Sequence, residues 1–126
     1  MNKLLSDRRV LVVEDEMLIL MIIEDMLADL GCESVTTAAT VDQALALIGT
    51  QVFDLAMLDM NLGGNRTCAV ADALTASGVP FAFSTGYSDR DVRDGHRDRP
   101  VLSKPFPYQQ LVEVLTGLLR AEEARV

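Results

Sequence analysis

Two short apolar runs of this sequence end on carboxylates, and chemistry is most to be expected there. Residues 10–13 form a largely β-branched run that leads directly into Glu14 and Asp15, and residues 55–58 form a second run that ends on Asp59. A carboxylate at the end of a buried strand is costly unless its charge is compensated. In an open α/β sheet, however, the carboxyl ends of the strands are where ligands bind. The pattern therefore predicts a ligand site that these three acids share.

Two further polar groups follow predicted strands later in the chain. Thr85 comes after the apolar run 81–83, and Lys104 comes after the run 101–103. Three carboxylates that converge on one edge repel one another unless a cation holds them. Because all the candidate ligands are oxygens, a hard ion such as Mg²⁺, with Mn²⁺ as a substitute, is favoured over a transition metal. A hydroxyl and an ammonium group facing that ion would bind the remaining oxygens of a phosphoryl group, so the residues predict a site that carries phosphate on Asp59.

The elements that position these residues are five predicted strands that alternate with five helical segments. Such alternation predicts βαβ units and a parallel sheet that helices cover on both faces. Right-handed crossovers leave few ways to arrange these units. We therefore expect an α/β fold, a flavodoxin-like (βα)5 three-layer sandwich whose parallel sheet has the strand order 2-1-3-4-5. This order places the ends of the first and third strands side by side.

The helical segments carry more specific expectations. A capping box at Thr40 begins the second helix, and Gly49 ends it. Residues 88–99 contain only one apolar residue, Val92, so a helix there has almost nothing to bury, and we expect a short or labile fourth helix. The first helix carries an apolar stripe that we expect to face the sheet, formed by Ile19, Ile22, Ile23, Met26, Leu27 and Leu30. Gly31 is the expected C-cap of this helix.

Length, composition and charge restrict the class of protein. With 126 residues, 49% of them hydrophobic, we expect one domain, 1–126, without an output domain. The formal net charge of -8 argues against nucleic-acid binding, which needs a basic face. The sequence shows neither a secretory h-region nor an apolar stretch long enough to cross a bilayer. Cys32 and Cys68 lack CxxC spacing and nearby His partners, so we expect buried thiols in a reducing, cytoplasmic environment.

Four motifs together resemble the receiver domain of two-component response regulators, and the resemblance extends over the whole chain. They are Val12-Val13-Glu14-Asp15-Glu16, Leu58-Asp59 with Asn61 two positions on, Ser84-Thr85, and Lys104-Pro105-Phe106. The resemblance implies a phosphoacceptor, rather than a classical enzyme, that takes its phosphoryl group from a histidine kinase or a histidine phosphotransferase. It also implies self-phosphorylation and autodephosphorylation. The output would be protein contact or service as a phosphate sink, and the chain would be a monomer or a weak dimer.

The same resemblance implies a role for each acid at the predicted site. Asp59 corresponds to the phosphoacceptor. Asp15 corresponds to the direct Mg²⁺ ligand, and Glu14 to its neighbour that acts through water. The backbone carbonyl of Asn61 is implied as a further metal ligand.

The resemblance also implies how the phosphoryl group is held. Thr85 is similar to the switch hydroxyl that moves to meet that group, and Lys104 to the ammonium group that pairs with it. The Lys104–Pro105 peptide bond is expected to be cis, since such bonds occur almost only before proline. Pro105 is therefore a candidate part of the switch.

Departures from the family pattern concern the readout of phosphorylation. The motif Phe83-Ser84-Thr85-Gly86-Tyr87 resembles the Phe-Ala-Thr-Gly-Tyr motif of a receiver subgroup common in alphaproteobacterial stress signalling, with Ser84 in place of Ala. Most receivers carry an aromatic residue three positions before the lysine, where this chain has Val101. The usual rotating aromatic cannot operate from that strand. Tyr87 is our candidate substitute.

Two other classes of protein are excluded by particular residues. A haloacid-dehalogenase-type phosphatase needs a second Asp two positions after the nucleophile, and Asn61 stands there. An EF-hand loop starting at Asp59 fails because its twelfth position is Val70 instead of Glu. The alternative left open is a phosphorylation-independent interaction module, because the first helix carries further apolar residues off its predicted stripe, namely Leu18, Leu20 and Met21.

Overall fold

A computed structural model describes residues 4–62, 65–86, 99–104 and 106–124. For residues 65, 66 and 122–124 it describes the backbone alone. The strands are β1 (Arg9–Val13), β2 (Ser34–Ala38), β3 (Leu55–Asp59), β4 (Asn61–Leu62), β5 (Asn65–Arg66), β6 (Phe81–Thr85) and β7 (Val101–Ser103). The helices are α1 (Met17–Asp29), α2 (Val41–Thr50), α3 (Cys68–Ala76) and α4 (Tyr108–Ala124).

The main sheet has five strands in the order β2-β1-β3-β6-β7, and every neighbouring pair is parallel. With the small β4–β5 hairpin set aside, this is the predicted order 2-1-3-4-5, so the flavodoxin-like fold class is confirmed. The register pairs Val13 with Leu58 and Asp59 with Ser84. The ends of β1, β3 and β6 therefore lie next to one another at one edge of the sheet.

Two hydrophobic cores, one on each face of the sheet, lie between the sheet and the two layers of helices. Successive residues of a strand point to opposite faces. Val10 and Val12 of β1 accordingly pack in the core that holds Leu27 of α1 and Leu115 of α4. Leu11 and Val13 pack in the other core, which contains apolar residues of α2 and α3 (Ala44, Val70, Ala71 and Leu74). The sheet is therefore buried on both faces.

The structure corrects the predicted orientation of α1. Ile22, which was expected to face the sheet, is 48% exposed, whereas Leu20, which was expected to lie off the stripe, packs partly against the core. The buried positions of α1 and its C-cap are Ile23, Leu27 and Leu30, and they lie four and three residues apart, as one helix face requires. The first turns are apolar nearly all round, so the pattern there did not determine which face turns inward.

Other local expectations have mixed outcomes. Thr40 caps α2 by accepting a hydrogen bond from the backbone N–H of Gln43, as predicted, and Gly31 adopts a positive φ of 87° after α1. Gly49 does not end α2, which runs to Thr50. The stretch after Asp59 contains the antiparallel β4–β5 hairpin.

The expected short or labile fourth helix at residues 88–99 lies almost wholly outside the described residues. Within the described part of the chain, no helix is both long and apolar enough to span a membrane.

Candidate functional site

Asp59 is the last residue of β3 and is almost completely buried, at 2% exposure. Both oxygens of its carboxylate have defined partners. Oδ1 accepts a hydrogen bond of 3.1 Å from the backbone N–H of Asn61, and Oδ2 lies 2.8 Å from Nζ of Lys104. A buried carboxylate held by a backbone N–H and a cation has a fixed orientation.

Glu14 and Asp15 follow β1 and meet Asp59 at the same edge of the sheet. Oε2 of Glu14 accepts hydrogen bonds from the backbone N–H groups of Asp15 (3.1 Å) and Glu16 (3.2 Å). Glu14 is buried, at 1% exposure, whereas Asp15 is exposed. One carboxylate oxygen from each of Glu14, Asp15 and Asp59 lies within 4.8 Å of the other two. The structure thus brings the three predicted acids together.

Lys104 follows β7 and bridges two of these acids. Its side chain is 6% exposed, and Nζ lies 2.6 Å from Oε1 of Glu14 and 2.8 Å from Oδ2 of Asp59. The exposed Glu16 is also within reach, with Oε1 at 3.8 Å. Burial alone would lower the pKa of Lys104, but its hydrogen bonds to Asp59 and Glu14 raise that pKa above its ordinary value. The ammonium group therefore stays charged beside Asp59.

Thr85 ends β6 and is half-buried. It comes one residue after Ser84, the register partner of Asp59, and its carbonyl accepts a 2.8 Å hydrogen bond from the backbone N–H of Lys104. The Thr85 hydroxyl donates to the carbonyl of Gly86 at 3.3 Å. The fourth and fifth strands of the sheet thus deliver their predicted residues to the same edge. Tyr87 and Pro105, the two candidate switch residues, lie outside the described residues.

The environment of Glu14 shifts the pKa of its carboxyl group. Burial, reinforced by a hydrogen bond with Asp59 and outweighing the contact with Lys104, raises the pKa of Glu14 to about 7 from an ordinary 4.5. The folded chain therefore binds a proton at Glu14 over a pH range in which the unfolded chain has released it. Folding is opposed by this group as the pH rises from 4.5 towards 7, and the penalty is complete above 7.

We expect Glu14→Gln to remove that pH dependence in metal-free protein. Between pH 4.5 and 7, the wild-type chain should lose about 3 kcal/mol of unfolding free energy relative to the variant. Urea unfolding in EDTA across this range measures the difference. Glu33→Gln, at an exposed position away from the site, is the control. Parallel pH profiles for wild type and Glu14→Gln would show that Glu14 titrates as an ordinary exposed acid.

The donor set at this edge fits a hard divalent cation. Its three carboxylates are all oxygen ligands, and two of them, Glu14 and Asp59, are buried while Asp15 faces solvent. One or two direct carboxylates with the remaining positions open to water and phosphate is the way in which Mg²⁺ is usually bound. The acids outnumber the ammonium group beside them, so a cation would also relieve their repulsion.

The exposed part of α1 forms an apolar surface beside this site. Met17 is 68% exposed, Leu18 76%, Met21 54% and Ile22 48%, and we call these four residues the α1 patch. Leu20, which was predicted to belong to such a surface, packs partly against the core instead. The patch begins two residues after Asp15, at the same edge of the sheet as the carboxylates.

Thr67 is a site residue that the sequence pattern does not reveal. It is completely buried, and its hydroxyl donates a 2.7 Å hydrogen bond to the backbone carbonyl of Asp59. Its position directly before α3 is typical of a helix cap, so sequence alone gives it a different role. Glu16, which belongs to one of the receiver motifs, has no role implied by the sequence but lies within 3.8 Å of Lys104.

Comparisons with known proteins agree with this geometry. The family model for the response regulator receiver domain matches residues 10–116. The solution structure of SdrG from Sphingomonas melonis Fr1 is 45% identical, with a TM-score of 0.81 over 94% of this chain and 99% of that one. The receiver domain of PhyR from Erythrobacter litoralis is 31% identical, with a TM-score of 0.76 over 90% of this chain and 91% of that one. Both structural neighbours come from alphaproteobacteria.

A curated relative is longer than this chain. The transcriptional regulatory protein PdtaR of Mycobacterium tuberculosis is 30% identical over 112 residues, which are 86% of this chain. The match covers 55% of PdtaR, so the chain spans about half the length of that relative. The fold, the acidic edge with Lys104 and the family match all lead to one assignment. This chain belongs to the response regulator receiver domains of two-component signalling systems.

Proposed function

We propose that this receiver accepts a phosphoryl group on Asp59, in a Mg²⁺-dependent reaction, from the phosphohistidine of a histidine kinase or a histidine phosphotransferase. The observation that supports it most is the environment of the Asp59 carboxylate. Asp59 is one of three converging acids, and Lys104 lies 2.8 Å from its Oδ2. In-line phosphoryl transfer needs such positioning and charge neutralisation more than covalent help.

The reaction assigns a role to each residue of the site. An oxygen of Asp59 attacks phosphorus, the P–N bond to the donor imidazole breaks, and an acyl phosphate forms. Lys104 pairs with one phosphoryl oxygen, and the Thr85 hydroxyl donates a hydrogen bond to another. Glu14, Asp15, Asp59 and the Asn61 carbonyl would hold Mg²⁺, which supplies positive charge to the phosphoryl oxygens. Hydrolysis of the acyl phosphate by water returns the chain to its starting state.

The consequence of phosphorylation follows from the same site. The signal leaves by protein contact, or ends when the chain acts as a phosphate sink in the cytoplasm. Stress signalling is the proposed context, because the Phe83–Tyr87 motif resembles that of receivers with such a role. We propose that the chain works as a monomer or weak dimer, with residues 1–126 as one receiver domain.

Incubation with acetyl phosphate and Mg²⁺ tests the proposal. We expect the intact mass of the wild-type chain to increase by one phosphoryl group, and we expect EDTA to prevent the increase. Asp59→Asn should remain unlabelled because the amide lacks the nucleophilic oxygen. Asp54→Asn, a change at another acid near β3, is the control and should be labelled like the wild type. Equal labelling of Asp59→Asn would reject Asp59 as the acceptor.

We propose further that the α1 patch docks the protein that donates the phosphoryl group. A donor histidine has to reach Asp59, and the patch lies at the same edge of the sheet. Single exposed apolar side chains are common, but here four are clustered at one end of a helix. Such a surface is typical of protein contacts.

Leu18→Asn should therefore slow phosphoryl transfer from a phosphorylated histidine phosphotransferase by about 10-fold, since burial of an exposed leucine contributes on the order of 1.5 kcal/mol. Labelling by acetyl phosphate, which needs no docking surface, should stay at the wild-type rate. Val52→Asn is a matched control, because Val52 is equally exposed, at 75%, but lies away from the site, just before β3. Equal slowing with both donors would place the effect in the site instead of the patch.

The α1 patch also supports a second candidate function, a phosphorylation-independent interaction module. The two proposals differ in the response to Asp59→Asn. A partner that binds wild type and Asp59→Asn equally well, combined with no labelling of the wild type, would favour the interaction module.

A further inference from the structure

Thr67 stands at a helix start but does not use its hydroxyl there. It is the N-cap of α3, and its carbonyl accepts a 3.0 Å hydrogen bond from the backbone N–H of Ala71. A threonine at this position ordinarily accepts a hydrogen bond from the N–H two or three residues on. Here the side chain makes no capping bond, and its hydroxyl donates to the Asp59 carbonyl at 2.7 Å. The hydroxyl is thus used to link α3 to the phosphoacceptor, eight residues earlier.

This hydrogen bond links the two ends of the connection between β3 and α3. Inside the closed segment, the backbone N–H of Met60 donates to the carbonyl of Ser84 at 2.9 Å, and that of Asn61 donates to Oδ1 of Asp59 at 3.1 Å. The side chains of Met60 and Leu62 are buried, at 2% and 3% exposure, so the segment also packs against the core. The backbone from Asp59 to Asn61 is therefore held from α3 on one side and from β6 on the other.

We propose that Thr67 is a positioning residue for the phosphoacceptor. Its hydroxyl fixes the Asp59–Met60 peptide. Through Met60 it also restrains the next peptide, whose N–H, that of Asn61, orients the carboxylate. Because Asn61 belongs to the proposed metal ligands as well, the same bond sets the affinity of the site for Mg²⁺. This last step rests on the proposed function, whereas the effect on the Asn61 N–H does not.

Three variants isolate the hydroxyl. Thr67→Ser keeps it and Thr67→Ala lacks it, while both lose the same methyl group, and Thr67→Val adds an isosteric variant without the hydroxyl. Thr116 of α4 is the matched control position, since its hydroxyl donates a bond of the same 2.7 Å to the carbonyl of Val112, away from the site. Serine and alanine variants at Thr116 report the general effect of such a change on stability.

Three readouts apply to these variants. Outer partners of a metal site commonly change affinity by 10-fold or more, so Thr67→Ala should weaken Mg²⁺ binding by about 10-fold in calorimetry relative to Thr67→Ser. Labelling by acetyl phosphate at a fixed, subsaturating Mg²⁺ concentration should slow by a similar factor. Amide hydrogen exchange of Asn61, measured by NMR, should be faster in Thr67→Ala than in Thr67→Ser. The Thr116 pair should differ in none of these.

The outcomes separate this inference from the proposed function. Equal Asn61 exchange and equal Mg²⁺ affinity in Thr67→Ser and Thr67→Ala, or in Thr67→Val and wild type, would overturn the role of Thr67. A wild-type chain that acetyl phosphate does not label would overturn the proposed function instead. In that case the Asn61 exchange rates still decide whether Thr67 positions the Asp59 peptide.

Discussion

Replacing Lys104 by methionine is expected to destabilise the metal-free chain by roughly 3–5 kcal/mol, because removal of one partner from a buried ion pair leaves the other charge uncompensated. Lys104 lies 2.6 Å from Glu14 and 2.8 Å from Asp59, two carboxylates that are nearly inaccessible to water. The loss should be greatest above the Glu14 pKa of about 7, where Glu14 is ionised. Urea unfolding in EDTA measures it.

Mg²⁺ should restore much of the stability that Lys104→Met loses, because a cation that binds only the folded state supplies the missing positive charge. Phosphorylation by acetyl phosphate should nevertheless remain strongly reduced, since one phosphoryl oxygen lacks its ammonium partner. Arg120→Met, a change at an exposed cation of α4, is the control. A loss of less than about 1 kcal/mol in Lys104→Met would show that the ion pairs are not the main support of the buried acids.

The second large effect is expected at Asp15, where metal binding and stability should separate. Asp15 is exposed, so Asp15→Asn should change the free energy of unfolding by no more than about 0.5 kcal/mol. Mg²⁺ affinity should fall by at least about 10-fold, because the site loses a charged ligand whose carboxylate lies within 4.8 Å of the other two. Phosphorylation at low Mg²⁺ should fall in proportion.

Asp25→Asn, at an exposed acid of α1 away from the carboxylate cluster, should leave Mg²⁺ affinity unchanged. Calorimetric Mg²⁺ titrations of the wild type and both variants supply the comparison. If Asp15→Asn bound Mg²⁺ with wild-type affinity, the cation would have to bind to ligands other than the three acids at this edge.

The positions of Asp59 and Lys104 could be predicted because they depend on local signals. Each follows a short apolar run, and in a parallel sheet covered on both faces such runs end at a common edge. The strand order follows from the alternation of strands and helices together with right-handed crossovers. The chemistry of the edge then depends only on which residues stand at the strand ends.

The rotation of α1 and the role of Thr67 could not be predicted in the same way. Apolar residues occupy nearly every position of the first turns of α1, so periodicity alone could not choose between Leu20 and Ile22. Packing against the sheet decides it, and Leu20 turns inward. For Thr67, the local signal for a helix cap is genuine, but the hydroxyl bonds a carbonyl eight residues away once β3 and α3 are packed.

The most direct test of the central claim is to identify the residue that carries the phosphoryl group. After labelling with acetyl phosphate and Mg²⁺, borohydride reduction converts an aspartyl phosphate to homoserine, which peptide mass spectrometry can assign to a residue. We predict conversion at Asp59 alone, with none in EDTA-treated samples. Conversion at another aspartate, or no conversion at Asp59 in a chain that acetyl phosphate labels, would contradict the account.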